Sequence, residues 1–176
     1  MTAGSIRLKH WLFLRVVREM VEIVTVRAIA ERDFARWQTL WAGYLSFYDI
    51  ALDPEITATT WQRLLGSEPG THDGFAAVSA DDEMVGFAHS LLHRSTWTTT
   101  WYAYLEDLFV DPAFRGGGVG HALIEAVIED AKRHDAARVF LITDHDNATA
   151  RRLYDRAMTF APFVQYRVQI KERGAL

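Results

Sequence analysis

The stretch LEDLFVDPAFRGGGVG, residues 105–120, places an apolar run with two adjacent carboxylates directly before a glycine-rich turn. Arg115, Gly118 and Gly120 stand at the spacing R-x-x-G-x-G. Glycines adopt positive φ angles and bring backbone N–H groups close to an anion. The apolar periodicity after Gly120 predicts a helix, whose N-terminus adds about half a positive charge. The stretch therefore predicts a phosphate-binding turn between a strand and a helix.

Two other phosphate-binding motifs are excluded by their spacing. A Walker loop requires Lys-Ser/Thr after its last glycine, whereas this chain has His121-Ala122. A dinucleotide fingerprint that starts at Gly118 requires a small residue where Leu123 stands. A plain glycine turn remains the alternative interpretation of the first motif taken alone.

Composition and charge bound the possible functions. The chain has 176 residues, of which 49% are hydrophobic, and these values suit one globular domain. Its net charge of -4 disfavours nucleic acid as a partner and favours a cationic substrate. The absence of cysteine excludes disulfides and an acyl-cysteine intermediate, so any acyl transfer is predicted to be direct.

Residues 1–19 differ from the rest of the chain because apolar and basic residues alternate there. We interpret them as an N-terminal extension, either from a start codon assigned too early or as an amphipathic basic helix. Residues 20–176 are predicted to form a single domain. The longest uncharged apolar run of the extension, residues 11–14, is too short for a membrane span or a signal-peptide core. We expect a cytoplasmic protein without a membrane partner.

Hydrophobic periodicity predicts the order strand, two helices, three strands, helix, strand, helix, strand. The predicted strands are 22–28, 75–79, 84–93, 101–110, 138–143 and 163–170, and the predicted helices are 31–48, 57–65, 119–133 and 148–157. Residues 66–74 are predicted to form a loop. This order predicts a mixed sheet with helices on both faces.

A second motif lies in DHDNATARRLYDRAMTFAPFVQY, residues 144–166, about thirty residues after the first. Asn147, Ala150, Leu153 and Tyr154 stand at its fixed positions. Together the two motifs resemble those of the GNAT acetyltransferases, in which the first is the acetyl-CoA pyrophosphate loop. Many members continue with Gly-Phe after the tyrosine, whereas this chain has Met-Thr at residues 158–159.

Segments 44–48, 93–97, 104–107 and 161–166 are similar to a narrower branch, the polyamine and diamine N-acetyltransferases and the yeast histone and D-amino-acid acetyltransferases. The resemblance covers about residues 24–167. It implies an α/β (α+β) fold of the GNAT type, with a mixed, mostly antiparallel twisted sheet of six to seven strands flanked by about four helices. It also implies acetyl-CoA as cosubstrate and a homodimer.

The resemblance implies roles for residues of both motifs. Asn147 is expected to hydrogen-bond the pantetheine region, and Tyr154 to face the thioester sulfur. The strand end is expected to bind pantetheine through its backbone. The predicted cofactor-binding residues are Leu108, Phe109, Val110, Arg115, Gly116, Gly117, Gly118, Val119, Gly120 and Asn147.

The chemistry of amine acetylation calls for a base and an acid. An alkyl ammonium has a pKa of about 10, so about one molecule in a thousand is a free nucleophile at neutral pH. Glu106 stands where the polyamine relatives have their proposed base, and it would act through ordered water. Tyr154, with an ordinary pKa of about 10, would protonate a leaving thiolate of pKa about 8.5. Asp107 would point to the opposite face of a regular strand, whereas a bulge would bring both carboxylates to the site.

An acceptor pocket that holds a cation is predicted from the aromatic residues before the central strand, which are Trp41, Tyr44, Phe47, Tyr48, Trp97 and Trp101. The predicted substrate-binding residues are Tyr44, Tyr48, Trp97, Glu106 and Asp107. His89 and His93 share a strand face but lack a third ligand, so we predict no metal site. We therefore expect acetyl transfer to the primary amine of a small cationic or amino-acid-like acceptor. The alternatives are a lysine acetyltransferase acting on proteins such as histones and a non-catalytic acyl-CoA sensor.

Overall fold

The computed structural model describes residues 24–66 and 72–170. Within these ranges one sheet has the strand order β1-β2-β3-β4-β5. Its strands are β1 Thr25–Ala28, β2 His72–Val78, β3 Met84–Arg94, β4 Trp101–Val110 and β5 Ala136–Leu141. The described helices are α1 Phe34–Phe47, α2 Pro54–Leu64, α3 Val119–Arg133 and α4 Ala148–Ala157. Only β4 and β5 are parallel, which confirms the predicted mixed, mostly antiparallel sheet.

Helices cover both faces of the sheet, as the sequence predicted. On one face α1 and α2 bury Trp37, Trp41 and Trp61 against the sheet. On the other face α3 buries Leu123 and Val127. Each fully buried side chain of this size contributes about 1.5–3 kcal/mol. Packing on two faces therefore fixes β4, the strand that carries the two carboxylates, between two apolar layers.

The bounds of β4, α3 and α4 agree with the predicted elements, and local signals explain where other elements differ. The helix predicted from residue 57 begins at Pro54 because the Asp53 side chain accepts a hydrogen bond from the backbone N–H of Glu55, at 2.9 Å. The strand predicted from residue 138 begins earlier, since Asp135 with φ 55° reverses the chain directly after α3. Ala136 then already pairs with Trp101.

The predicted number of strands is wrong, because the described residues form five strands rather than six or seven. The difference lies in residues 163–170, which were predicted to be the last strand and have no strand pairing. Their alternating apolar side chains are exposed, including Tyr166 at 92%. Alternation is only a local signal, and a strand also needs a neighbour for its backbone hydrogen bonds.

Two other predictions concern residues at the edges of the described ranges. The predicted extension 1–19 lies outside them, as do the first residues of the predicted strand 22–28. The predicted loop 66–74 is shorter than expected, since β2 already begins at His72. No helix within the described ranges has both the length and the apolar character to cross a membrane.

An ion pair anchors the start of α1 to β1. The Arg27 guanidinium donates two hydrogen bonds to the Asp33 carboxylate, at 2.6 and 2.8 Å. Burial alone would raise the pKa of Asp33, but the bonds from Arg27 and from the backbone N–H of Ala30 outweigh burial and lower it. This pair fixes the N-terminal end of α1.

Candidate active site

The glycine loop, residues 115–118, joins β4 to α3. Gly116 and Gly118 have φ angles of 87° and 88°, which other residues rarely adopt. A Cβ at either position would meet no atom within 4 Å, so the space over the loop is open. Gly118 directly precedes α3, whose first N–H groups have no partner inside the helix. This geometry fits a diphosphate group.

Arg115 and Gly120 support the loop in different ways. The Nε of Arg115 donates to the carbonyl oxygen of Val110 at 2.9 Å, which uses one of its five N–H donors and holds the cation beside the loop. A Cβ at Gly120 would lie 2.8 Å from Cδ2 of Leu153. Glycine therefore allows α3 to pack closely on α4, and the two sequence motifs meet in space.

β4 and β5 separate beyond Leu105. Their pairing begins with Trp101 opposite Ala136 and ends with Leu105 opposite Leu141, whereas β4 remains paired to β3 as far as Val110. Residues 106–110 thus have β3 on one edge and a gap beside their other edge. In an extended strand every second N–H faces such a gap. The structure therefore leaves one edge of β4 open just before the glycine loop.

A bulge at Glu106 decides where the two carboxylates point. His89 of β3 pairs with Asp107, and the next residue, Ser90, pairs with Leu105, so Glu106 is the extra residue. Burial, followed by the charges of both Glu106 and Asp107, raises the pKa of the Tyr104 phenol. Both carboxylates therefore lie near the Tyr104 phenol, and the bulge is the irregularity that the alternative interpretation required. Glu106 is exposed, while the Asp107 side chain is 15% exposed.

Tyr44 of α1 and Tyr48, the residue that follows this helix, lie near Asp107. The rings of Tyr44 and Tyr48 meet edge to face, with centroids 5.1 Å apart. Burial, with the charge of Asp107 and hydrogen bonding to it, raises the pKa of Tyr44. Burial also raises the pKa of Tyr48, although its hydrogen bond with Asn147 opposes this rise and the Asp107 charge adds to it. The two phenols remain protonated donors beside a carboxylate.

The second motif reaches the same place through α4. Asn147 precedes this helix, and its Oδ1 accepts a hydrogen bond from the backbone N–H of Ala150 at 3.1 Å. Burial raises the pKa of Tyr154 to about 12, with a further rise from Tyr48, while Thr143 opposes it. Tyr154 thus carries its proton at neutral pH and lies near the two tyrosines at the C-terminal end of α1.

His89 is a site residue that the sequence analysis missed as a partner of Asp107. Its ring is 1% exposed, and its Nδ1 lies 3.0 Å from Oδ2 of Asp107. Its Nε2 accepts a hydrogen bond from Nε1 of Trp37 at 3.0 Å. From the sequence, His89 was considered only as a candidate metal ligand. Its partners lie on α1 and β4, and no local spacing in the sequence links these elements to β3.

Other predicted residues lie apart from this group. Trp97 is 81% exposed in the turn between β3 and β4, and its backbone N–H donates to Ser95. Trp41, one of the aromatics considered for the pocket, is buried in the core instead. In the described ranges no cluster of three or more metal-binding side chains occurs.

The site thus combines an anion-binding loop, an open strand edge, two carboxylates and several protonated phenols. Such an arrangement can hold a phosphorylated cosubstrate at one end and a cationic amine at the other. Carboxylates and protonated phenols are also side chains that can exchange protons with a reacting group.

Comparisons with known proteins agree with this arrangement. The model of the acetyltransferase (GNAT) family matches residues 29–160. The chain is 32% identical over 133 residues to the D-amino-acid N-acetyltransferase of Saccharomyces cerevisiae, a match covering 76% of this chain and 83% of that enzyme. It is 35% identical over 106 residues to the aminoglycoside N(6')-acetyltransferase type 1 of Stenotrophomonas maltophilia, which covers 58% of this chain and 64% of that enzyme.

The fold is also similar to that of AAC(6')-Iy, solved in complex with the bisubstrate analogue CoA-S-monomethyl-acetylneamine. The TM-score is 0.71 at 18% sequence identity, and the match covers 84% of this chain and 99% of that chain. At this identity the similarity concerns the fold.

Proposed function

Because the chain belongs to the GNAT family of N-acetyltransferases, with acetyl-CoA as cosubstrate, we propose that it acetylates the primary amine of a small cationic or amino-acid-like acceptor. The observation that carries this proposal is the position of Asp107, a largely enclosed carboxylate beside Tyr44 and Tyr48. A carboxylate between aromatic rings recognises an ammonium group by charge and by cation-π attraction. The relatives named for D-amino acids and aminoglycosides support a small amine.

The cosubstrate end of the site is assigned to the glycine loop and the open edge of β4. The N–H groups of the loop and of the first turn of α3 would hold the diphosphate, with Arg115 beside it. The backbone of Leu108, Phe109 and Val110 and the amide of Asn147 would hold the pantetheine arm along the gap. Acetyl-CoA supplies the thioester whose carbonyl the amine attacks.

Glu106 and Tyr154 are assigned the proton transfers. Glu106 is exposed at the bulge, so water can connect it to the acceptor, and it would take the ammonium proton through that water. Tyr154 is protonated and would donate to the leaving sulfur. Because burial raises the pKa of Tyr154 above that of a thiol, complete proton transfer to the sulfur is unfavourable. Tyr154 therefore acts chiefly by donating a hydrogen bond as charge develops on sulfur.

The test is a steady-state assay of the purified full chain with acetyl-CoA and a panel of amines. The panel contains diamines and polyamines, D- and L-amino acids, an aminoglycoside and a lysine peptide of histone-tail composition. We expect thiol release with small cationic amines at a higher kcat/KM than with the peptide. A preference for the peptide would instead indicate a protein lysine acetyltransferase. Binding of acetyl-CoA without turnover of any amine would indicate a sensor.

We also propose that the protein is a homodimer. The apolar residues that alternate along 163–170 are exposed, and an exposed segment of this pattern fits the edge of a sheet in a second copy. Light scattering of the full chain should then give twice the chain mass. The double variant Tyr166→Asp, Val168→Asp should be monomeric. A monomeric wild-type chain would overturn this proposal without affecting the assigned chemistry.

A further inference from the structure

His89 is buried for a reason other than packing alone. Its ring stacks on Phe87, with centroids 4.5 Å apart, and lies among the tryptophans of α1. A buried polar ring costs free energy unless both nitrogens are hydrogen-bonded. Both are bonded here, one to Trp37 and the other to Asp107.

The partner at Nε2 determines where the imidazole carries its proton. An indole N–H can only donate, so Nε2 of His89 must accept the hydrogen bond from Trp37. The proton of the neutral ring is therefore at Nδ1. From there it is donated to Oδ2 of Asp107, at 3.0 Å.

This hydrogen bond fixes the direction of the Asp107 carboxylate. His89 and Asp107 are partners in the pairing of β3 and β4, next to the bulge at Glu106. A bulge bends its strand locally, so the backbone alone specifies the carboxylate poorly. An ionised carboxylate accepts about four hydrogen bonds, and the bond from His89 uses one of them. The remaining acceptor sites are left for Tyr44 and for an incoming donor.

We propose that His89 is a positioning residue for the acceptor amine, acting through Asp107, with Trp37 fixing the tautomer that this requires. The inference rests on the proposed function and deepens it, because it names the side chains that aim the ammonium-binding carboxylate. A rigid, correctly aimed carboxylate lowers the KM for the amine and has no contact with the glycine loop. Its loss should therefore leave the KM for acetyl-CoA unchanged.

Two amide substitutions separate the two hydrogen bonds of His89. In His89→Asn the side-chain amide nitrogen takes the place of Nδ1, so it still donates to Asp107 while the Trp37 bond is lost. In His89→Gln the amide lies one bond further out, so its oxygen still accepts from Trp37 while the Asp107 bond is lost. His93→Gln, four residues along the same strand, is the matched control because His93 contacts Tyr102 and Phe140 instead.

We expect His89→Gln to raise the KM for the amine about tenfold or more, the effect of losing a hydrogen bond to a charged group. His89→Asn should stay within about threefold of the wild type, since it keeps that bond. Trp37→Phe should raise the same KM about two- to threefold, because Nε2 of the ring loses the donor that helps to hold the ring and its Nδ1–H tautomer. The control should match the wild type, and the KM for acetyl-CoA should not change in any variant.

If His89 has only a structural role, the variant with the lower melting temperature should also have the higher KM for the amine. The Gln variant keeps the buried indole N–H satisfied, so it should have the higher melting temperature while having the weaker amine binding. If the KM for the amine follows the melting temperature, or is equal in the Asn and Gln variants, the positioning role is overturned and the proposed function stands.

A second readout distinguishes failure of this inference from failure of the proposed function. Nitrogen-15 NMR of the wild-type full chain should show His89 as the Nδ1–H tautomer, and the other tautomer would overturn the inference whatever the activity. If the wild type acetylates no amine of the panel, the proposed function fails and the positioning role fails with it. A retained Nδ1–H signal of His89 would then show that the hydrogen bonds of His89 with Trp37 and Asp107 are intact.

Discussion

The glycine loop and the acceptor pocket proposed around Asp107, with Tyr44, Tyr48 and His89, are assigned to the two ends of one site, but they are built from different parts of the chain. At the loop, which spans the consecutive residues 115–118, Gly116 and Gly118 present backbone N–H groups. At the pocket, side chains from α1, β3 and β4 meet around one carboxylate. The loop depends on local backbone angles, whereas the pocket depends on the packing of distant segments.

This difference between the loop and the pocket predicts how each end of the site responds to amino-acid substitutions. A backbone site is damaged only where a substitution alters φ and ψ or fills the space over the loop. A side-chain site is damaged by any single loss of a buried hydrogen bond. The two ends should therefore separate in kinetics, with loop variants affecting the cosubstrate and pocket variants affecting the amine.

Tyr154 is the proposed hydrogen-bond donor to the leaving sulfur, and its removal should have the largest effect. We expect Tyr154→Phe to lower kcat about 100-fold, since a positioned proton donor contributes about that much. Coenzyme A affinity should change little, because the phenol hydroxyl meets the sulfur only as charge develops. Single-turnover kinetics and calorimetry measure the two quantities. An equal loss of coenzyme affinity would contradict this role and indicate a structural tyrosine.

The ion pair between Arg27 and Asp33, which anchors the start of α1, tests whether the pocket depends on tertiary packing. Asp33→Asn should lower the free energy of unfolding by about 2 kcal/mol, because it breaks a mostly buried ion pair with Arg27. Asp82→Asn is the matched control, since Asp82 is exposed and lies 3.7 Å from the same arginine. Urea unfolding of both variants at pH 7 measures the difference.

The same pair predicts a dependence on pH. The folded pKa of Asp33 lies below its ordinary value, so its stabilisation is complete above the unfolded pKa of about 3.9. It is lost as the pH falls through the lower, folded pKa. The difference in unfolding free energy between wild type and Asp33→Asn should therefore shrink in acid. A constant difference down to about pH 2 would contradict the assignment.

Glu106 tests which carboxylate serves as the base. Glu106→Gln should slow turnover about tenfold near pH 6.5 and progressively less toward pH 10, where the amine is already deprotonated. The pH profile of kcat/KM for the amine gives this result directly. Asp107→Asn is the comparison, because it should raise the KM for the amine at every pH. An unchanged profile in Glu106→Gln would remove Glu106 from the role of base.

The smallest expected effect concerns the loop. Gly118→Ala should weaken acetyl-CoA binding about fivefold, since an alanine at φ 88° costs about 1 kcal/mol or more. Gly117→Ala is the matched control, because a Cβ there lies 3.8 Å from the carbonyl oxygen of Phe114 and needs no positive φ. Calorimetric titration with acetyl-CoA compares the two. Equal losses would show that the loop requires open space rather than its backbone angles.

Much of the fold was predictable wherever the signal is local. The bounds of β4, α3 and α4 follow from apolar periodicity, an Asp-Pro turn and the glycines before α3. The segment 163–170 has an equally clear alternation, yet it forms no strand in the structure. Strand formation requires a partner edge, and a segment's own pattern does not contain that information.

The sequence by itself determined the family of this protein and its cosubstrate, acetyl-CoA. The R-x-x-G-x-G spacing and the Asn147 and Tyr154 motif act through short stretches, so their residue types and intervals carry the chemistry. Only the tertiary structure decided the acceptor end. A bulge interrupts the pairing of β4 at Glu106, and packing joined Trp37 to His89 across 52 residues and His89 to Asp107 across 18. Hydrogen bonds between such distant segments form only when helix and sheet are packed together, so no local pattern encodes them.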